Sequence, residues 1–337
     1  MSAPADQSLT IYDLSKLAGV SPSTVSTVLN GTWRKRRISE KTVKLVLDLA
    51  RQHGYSMNMQ ARALRTSESG IIGMLLPLHD NRYFSSIAER FEKMARDRGL
   101  FPIVTCTRRD PDLEEQAASA MLAYRVDHIV CTGATAPDRI AALCESRGVP
   151  TFNLDLPGSR APSVISDNYG GALKMSERML DQLAAFGPLD AQDVLFIGGR
   201  GADHNTKERI RAFEDAHARY GGKPDRRHIH PCGYAANKAE RCFTEVVAAL
   251  GKLPEGIFVG STISLEGIIR WFHANGIEKL QGVSLCCFDW DPFVQMLGSG
   301  IITLRQDVPK MMELLFDLID RRVTAPELRI EIETQWP

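Results

Sequence analysis

The sequence predicts an α/β protein with a small all-α unit at its N-terminus. Apolar runs alternate with amphipathic helical segments from Gly70 onward, whereas short capped helical segments fill the residues before it. The length of 337 residues is sufficient for two or three domains. Charge divides the chain in the same way: residues 1–66 hold 10 Lys and Arg against 4 Asp and Glu, and the remainder holds 31 against 37. A basic segment of about +6 on an acidic body of about −6 indicates a polyanionic partner.

The N-terminal segment has the pattern of three short helices. Thr10 and Asp13 have the spacing of a capping box, and the first helix then places Leu17 on its apolar face. After a glycine turn, Ser21 can cap a second helix with Pro22 at its first position, where the missing N–H costs nothing. A third helix follows before residue 54. Three short helices within about fifty residues predict a helix-turn-helix DNA-binding domain over residues 1–57.

The second helix has small polar side chains on its outer face, which would let it enter the major groove of DNA without steric hindrance. Four consecutive basic residues follow it. Most such runs are solvated surface, but in a domain this basic the run favours phosphate contacts. The residues predicted to contact DNA in this domain are Ser21, Pro22, Ser23, Thr24, Thr27, Asn30, Arg34, Lys35, Arg36 and Arg37.

A short helix and linker are predicted over residues 58–69. The helix is Ala-rich and too short to be stable alone in water, so it needs a partner surface. An apolar side chain flanked by arginines favours insertion into the minor groove, where it can unstack a base step. The alternative is that Leu64 packs on the following domain. The residues predicted to contact DNA here are Asn58, Ala61 and Leu64.

The alternation from residue 70 to the end predicts two lobes, each with a parallel, doubly wound sheet. We assign about 70–167 and 301–325 to the N-lobe, and about 168–300 and 326–337 to the C-lobe. Ligands of such sheets bind outside the carboxyl ends of the strands. The cleft between the lobes is therefore the predicted ligand site.

Several other classes of protein are disfavoured by the sequence. It has neither an apolar run of 18 residues nor a signal-peptide layout at its N-terminus, so we expect a cytoplasmic protein without a membrane partner. Seven cysteines without a C-x-x-C pair indicate free thiols. His228, His230 and Cys232 lack further metal ligands, and F-I-G-G-R-G after a strand lacks dinucleotide-binding spacing. We expect no metal, no cofactor and no enzymatic activity.

The lactose/galactose repressor (LacI) family has a DNA-binding head and hinge similar to three segments of this chain: I-Y-D-L-S-K-L-A-G-V-S-P-S-T-V-S-T-V-L-N-G, R-I-S-E-K-T-V and H-G-Y-S-M-N-M-Q-A-R-A-L. The resemblance continues through S-G-I-I-G-M-L-L-P and C-F-D-W-D. Within the family it is greatest to the fructose and sucrose repressor branch, on N-G-T-W-R-K-R-R-I-S and C-T-R-R-D-P-D-L-E-E-Q. It implies a periplasmic-binding-protein-like core whose lobes close on an effector.

Carried over position by position, the resemblance also implies a set of effector contacts. An arginine with carboxylates can hold sugar hydroxyls by charge-assisted hydrogen bonds, and an aromatic ring can cover an apolar sugar face. The alternative for Arg209 is a surface ion pair. Many members have Asp-Arg where this chain has Asp155-Leu156, and Arg160 is a candidate substitute for the missing cation. The implied effector-binding residues are Asn81, Phe84, Asp167, Arg209, Ser261, Asp289 and Trp290.

Together these features predict a homodimeric, sequence-specific transcriptional regulator, a repressor of carbohydrate metabolism genes. Its expected partners are double-stranded operator DNA, a sugar or sugar-phosphate effector and a second copy of the chain. Two alternatives stay open: a sensor whose effector is a nucleobase or another small metabolite, and a sugar-active enzyme. A solute-binding protein would need a signal peptide and would lack the basic head.

Overall fold

The computed structural model describes residues 9–29, 31–55, 68–185, 187, 193–297 and 300–337. The chain divides into two compact units, Met1–Ser69 and Gly70–Pro337, and each is described by itself. Four of the predicted DNA contacts lie outside the described residues: Asn30, Asn58, Ala61 and Leu64.

The described part of the first unit contains three helices: α1 (Ile11–Ala18), α2 (Pro22–Leu29) and α3 (Glu40–Gln52). Their apolar faces meet in one small core around Leu14 and Val25. Leu17, predicted on the inward face of the first helix, is instead 50% exposed, because the buried stripe of α1 runs through its neighbours.

The predicted helix starts in this unit are confirmed. The hydroxyl of Thr10 accepts from the backbone N–H of Asp13 at 3.3 Å, and the carboxylate of Asp13 accepts from the backbone N–H of Thr10 at 3.1 Å. Gly19 ends α1 in the left-handed conformation that glycine adopts without strain. The hydroxyl of Ser21 accepts from the backbone N–H of Thr24 at 3.1 Å. These caps fix the tight turn between α1 and α2.

The N-lobe of the second unit is a six-stranded parallel sheet in the order β13-β5-β4-β3-β1-β2. Helices cover both faces, so its central strands are buried on both sides and read as apolar runs. The strands are β1 (Ile71–Leu76), β2 (Phe101–Cys106), β3 (His128–Thr132), β4 (Thr151–Leu154), β5 (Ser163–Ser166) and β13 (Arg329–Ile332). The helices are α4 (Arg82–Asp97), α5 (Pro111–Ala123), α6 (Pro137–Glu145) and α12 (Val308–Asp320).

The C-lobe is a five-stranded parallel sheet in the order β12-β11-β10-β6-β8, again with an apolar core on each face. A two-stranded antiparallel pair, β7 with β9, lies beside it. The strands are β6 (Val194–Ile197), β7 (Gly199–Arg200), β8 (Ile229–His230), β9 (Cys232–Gly233), β10 (Gly256–Val259), β11 (Ser284–Phe288) and β12 (Ile302–Leu304). The helices are α7 (Asn168–Ala184), α8 (His204–Arg219), α9 (Ala236–Leu250), α10 (Thr262–Asn275) and α11 (Pro292–Met296).

The carboxyl-terminal strands correct the predicted lobe boundaries. Residues 301–325 were assigned to the N-lobe and 326–337 to the C-lobe, but β12 pairs with β11 of the C-lobe and β13 pairs with β5 of the N-lobe. The chain therefore crosses between the lobes after β5, after β12 and after β13. At the last two crossings Arg305 and Gln335 exchange backbone hydrogen bonds of 2.7 and 2.9 Å.

Candidate functional site

A cavity of about 30 Å³ lies between the two lobes, at the carboxyl ends of the strands of both sheets. Asp155 follows β4 in one lobe, and Asp289 follows β11 in the other. This is the position at which doubly wound sheets bind ligands.

Most of the predicted effector residues are brought together at this cavity. Asp167 lies instead at the start of α7, where its carboxylate accepts from the backbone N–H of Gly170 at 2.7 Å. The ring of Trp290 is 5.1 Å from the guanidinium of Arg305, at a crossing between the lobes. Neither residue is among those that line the cavity. The predicted residues that do line it are Asn81, Phe84, Arg209, Ser261 and Asp289.

Arg209 is held rigidly inside the C-lobe. Its side chain is 3% exposed, its Nε donates to the side-chain oxygen of Asn168 at 2.9 Å, and its Nη1 donates to the carbonyl of Gly260 at 2.6 Å. The guanidinium lies 3.6 Å from the ring centroid of Phe288. This burial excludes the surface ion pair that was the alternative reading of Arg209.

Two buried carboxylates face the cavity from opposite lobes. Both Asp155 and Asp289 have a left-handed backbone, with φ of 72° and 89°. Such a conformation costs a residue other than glycine on the order of 1–3 kcal/mol and is typical of functional sites. Burial raises the pKa of Asp155 and raises the pKa of Asp289 to about 6, while the positive charge of Arg209 opposes both shifts. Both carboxylates are thus hydrogen-bond acceptors that the folded protein shields from water.

Several residues not predicted from the sequence complete the hydrogen bonding of these carboxylates. The hydroxyl of Tyr83 donates to Asp155 at 2.9 Å, and the side-chain amide of Asn205 donates to the same oxygen at 3.3 Å. The side-chain amide of Gln306 donates to Asp289. Burial and the charge of Asp155 raise the pKa of Tyr83 well above its usual range, so it remains a hydroxyl donor.

Arg109 supplies the second cation of the cavity. Its guanidinium lies 5.4 Å from the ring of Phe84 and 4.5 Å from the ring of Tyr234, and its Nη1 donates to the carbonyl of Gly133 at 3.3 Å. Its Nε is buried without an acceptor in the described part of the chain. Arg160, the candidate substitute, instead forms an exposed ion pair with Glu145. Arg109 lies in C-T-R-R-D-P-D, a segment that indicated only the family branch and not a site residue.

The lobes are closed over the cavity. Asn205 of the C-lobe bonds to Asp155 of the N-lobe, and Arg200 of β7 donates to the hydroxyl of Thr135 at 2.9 Å. The remaining volume is far smaller than the roughly 300–1,000 Å³ of a typical ligand pocket. A sugar-sized ligand therefore requires the lobes to separate before it can enter.

The first unit presents a basic surface next to α2. Val25 and Val28 are buried, so Ser23 faces outward and Thr27 turns its hydroxyl back to the carbonyl of Ser23 at 2.8 Å. Pro22 and Thr24 are half-buried. The four basic residues of the following loop are exposed, and none forms an ion pair with a described acidic side chain; they are Arg34, Lys35, Arg36 and Arg37.

The described residues lack two further kinds of functional feature. They contain no cluster of three or more His, Cys, Asp or Glu side chains placed to hold a metal ion. None of their helices has the length and apolar character needed to cross a bilayer.

A basic three-helix unit followed by a two-lobed α/β core with an interlobe cavity defines a DNA-binding regulator with a ligand-binding core. Residues 10–58 match the bacterial regulatory proteins of the lacI family, and residues 72–324 match the periplasmic binding protein domain. The chain belongs to the LacI family of DNA-binding regulators.

Similar proteins support this assignment. The ribitol operon repressor of Klebsiella aerogenes is 57% identical over 194 residues, which are 58% of this chain and 72% of that protein. The sucrose operon repressor of Klebsiella pneumoniae is 26% identical over 322 residues, covering 95% of this chain and 94% of that protein. Among solved structures, a lac repressor dimer bound to operator and an anti-inducer has the same fold, with a TM-score of 0.79, 19% identity and coverage of 98% and 97% of the two chains.

Proposed function

We propose that this protein is a homodimeric repressor of a carbohydrate operon, controlled by a small sugar or sugar derivative that binds in the interlobe cavity. The observation that carries the proposal is the presence of buried Arg209, Asp155 and Asp289 at one cavity, where they offer directional donors and acceptors to a polyhydroxylated ligand. Aromatic rings at the same cavity provide the apolar contact that such ligands need.

Similarity to the ribitol operon repressor makes ribitol and related five-carbon compounds the first candidates for this effector. Operator DNA is the other partner, so the protein acts in the cytoplasm, where the chromosome lies. The exposed residues of α2 would read bases in the major groove, and the basic loop from Arg34 to Arg37 would contact phosphates.

The mechanism follows from the closure of the lobes. An effector that fills the cavity changes the equilibrium between open and closed lobes, because it binds the two states with different affinity. DNA binding then responds to the effector only if the DNA-competent state favours one of these arrangements, and the coupling is reciprocal. The predicted hinge helix with Leu64 would transmit the change to the operator.

A second copy of the chain is required because one head reads only a half-site. A groove of about 830 Å³, lined by α10 and α11 of the C-lobe and by residues at the start of α4, offers a surface for it in which apolar and charged side chains are mixed. Phe293 at its edge is 57% exposed, and the neighbouring Met296 is 80% exposed. Exposed apolar side chains of this size beside a groove favour burial against a protein partner.

Selection of bound duplexes from a random DNA pool tests the proposal. Purified protein should enrich a palindrome, and one member of a panel of five- and six-carbon sugars, polyols and their phosphates should change the recovery of that palindrome at least 10-fold. An Arg209→Ala variant should enrich the same palindrome without responding to the compound. Enrichment of no sequence would reject the repressor assignment, and enrichment without any response would reject the sugar effector.

A further inference from the structure

The ionisable side chains of the interlobe cavity carry no net positive charge. Two arginines, Arg109 and Arg209, face two aspartates, Asp155 and Asp289. Two ion pairs near the cavity, Arg200 with Asp203 at 2.9 Å and Arg82 with Asp291 at 3.2 Å, add no net charge. A ligand that enters this site therefore meets as many negative groups as positive ones.

The arginines are already engaged in part by the protein. Arg209 gives two of its nitrogens to acceptors in its own lobe and stacks on Phe288. Arg109 is held between two aromatic rings and donates to the carbonyl of Gly133, and its Nε is buried without an acceptor in the described residues. The positive charges of both guanidinium groups also act on the buried carboxylate of Asp155, where they oppose the rise of its pKa, so they are shared with the protein's own anion.

Helix N-termini at the cavity are the other structures that bind anions, and capping side chains at two of them already accept from some of the backbone N–H groups. The side-chain oxygen of Asn81 accepts from the backbone N–H groups of Tyr83 and Phe84 at the start of α4. At the start of α10, the hydroxyl of Ser261 accepts from the backbone N–H of Ser264. The third helix, α8, begins after the acidic Asp203, which repels an anion.

We infer that the effector is an uncharged polyol or sugar rather than a phosphorylated one, a conclusion that rests on the proposed function and narrows it. A phosphate monoester adds about −1.5 to −2 charges at pH 7. Beside two buried carboxylates, no cation of the site is free to neutralise that charge, because the two arginines already balance the two aspartates. The phosphate would therefore remain uncompensated in a poorly solvated site. Hydroxyl groups donate to the same carboxylates and leave the charge of the site balanced.

Matched pairs of ligands test this inference. Titration calorimetry of the full-length protein would compare ribitol with ribitol 5-phosphate, D-ribulose with D-ribulose 5-phosphate, and fructose with fructose 1-phosphate. We expect the uncharged member of at least one pair to bind 100-fold or more tightly than its phosphate. A phosphate that binds more tightly than its uncharged partner would overturn the inference while leaving the repressor function in place. A protein that binds its selected duplex but none of the six compounds would also overturn it.

A substitution that changes the charge of the site tests whether charge or shape determines the preference for an uncharged ligand. In Asp155→Asn the fold should persist, because asparagine tolerates the left-handed backbone better than most residues. The variant has a site with net positive charge. The affinity for a phosphorylated compound, divided by the affinity for its uncharged partner, should therefore be at least 10-fold higher in the variant than in the wild type. The same substitution at Asp112, on the surface with its side chain 76% exposed, should leave the ratio unchanged. An unchanged ratio in a folded Asp155→Asn protein would contradict the charge argument.

Discussion

At the scale of the residue, Asp155 and Asp289 are the members of the candidate site that we expect to lower the stability of the core. Each is an aspartate in a left-handed conformation, and each is almost fully buried in the closed cleft. A buried carboxylate is destabilising unless its partners compensate for the lost hydration. Burial raises the pKa of both carboxylates, and it outweighs the opposing charges of Arg109 and Arg209 at Asp155 and of Arg209 at Asp289. An effector that supplies hydroxyl donors would complete the compensation.

This argument predicts the pH dependence of stability for Asp289→Asn. Burial raises the pKa of Asp289 from its ordinary 3.8 to about 6. The folded state therefore binds this proton more tightly, so the free energy of unfolding falls as pH rises through about 6. A difference of this size corresponds to about 3 kcal/mol. Without ligand, Asp289→Asn should be about 1–3 kcal/mol more stable than the wild type at pH 7 and equally stable near pH 4.

Urea denaturation followed by tryptophan fluorescence would measure both values. Asp112→Asn, which removes an exposed carboxylate, serves as the control and should show no such pH-dependent difference. A variant that is less stable than the wild type at pH 7 would show that Asp289 is fully compensated in the folded protein.

The site could be predicted only in part at this scale. Residues in recognisable family segments, such as Arg209 and Asp289, line the cavity as the resemblance implied. Tyr83, Arg109 and Gln306 were not predicted. Tyr83 lies in the first turn of α4, whereas Arg109 and Gln306 lie in the segments after β2 and β12, and these parts of the chain come together only in the folded core. The repeated order of an apolar strand followed by aspartate, in F-N-L-D and C-C-F-D, was the available signal for Asp155.

At the scale of the element, the sequence was most informative where interactions between residues close in the chain determine the structure. Capping residues placed the starts of α1 and α2, and apolar runs placed the central strands. The lobe membership of β12 and β13 was predicted wrongly, because a strand of three or four residues has no periodicity that shows which sheet it joins. Its partner is selected by tertiary packing.

The basic loop after α2 provides a prediction at this scale. Each phosphate contact that is lost should reduce the slope of log affinity against log salt by about 0.9. Arg36→Ala in a dimer removes two such contacts, so the slope should decrease by about 2 and specific and non-specific binding should weaken together. Fluorescence anisotropy at several salt concentrations measures the slope. Arg321→Ala, an equal change of charge at an exposed position of the second unit, should leave it unchanged, and an unchanged slope in Arg36→Ala would place the loop away from DNA.

At the scale of the whole molecule, the three crossings between the lobes connect the effector site to the rest of the core. Asp167 and Trp290, which the resemblance implied as effector contacts, lie at these crossings, and Asp167 accepts a backbone hydrogen bond that starts α7. Opening of the lobes must change the backbone conformation at these few segments, since the sheets on either side are rigid parallel layers. Substitutions at the crossings should therefore alter closure without removing a ligand contact.

Dimer formation is the last property that belongs to this scale. Operator binding by two heads gains affinity because the second head binds at a high effective concentration once the first is bound. Met296→Asp places a charge on the most exposed apolar side chain beside the C-lobe groove, where burial against a second copy would leave that charge unpaired. Light scattering coupled to gel filtration should show a monomer for Met296→Asp and a dimer for the wild type. The affinity of the variant for the selected palindrome should fall at least 100-fold, while its affinity for the effector stays within about 3-fold.

Ile277→Asp introduces the same charge at a residue that is 48% exposed and outside the groove, and it should remain dimeric. A dimeric Met296→Asp protein with wild-type operator affinity would show that the second copy binds elsewhere on the core.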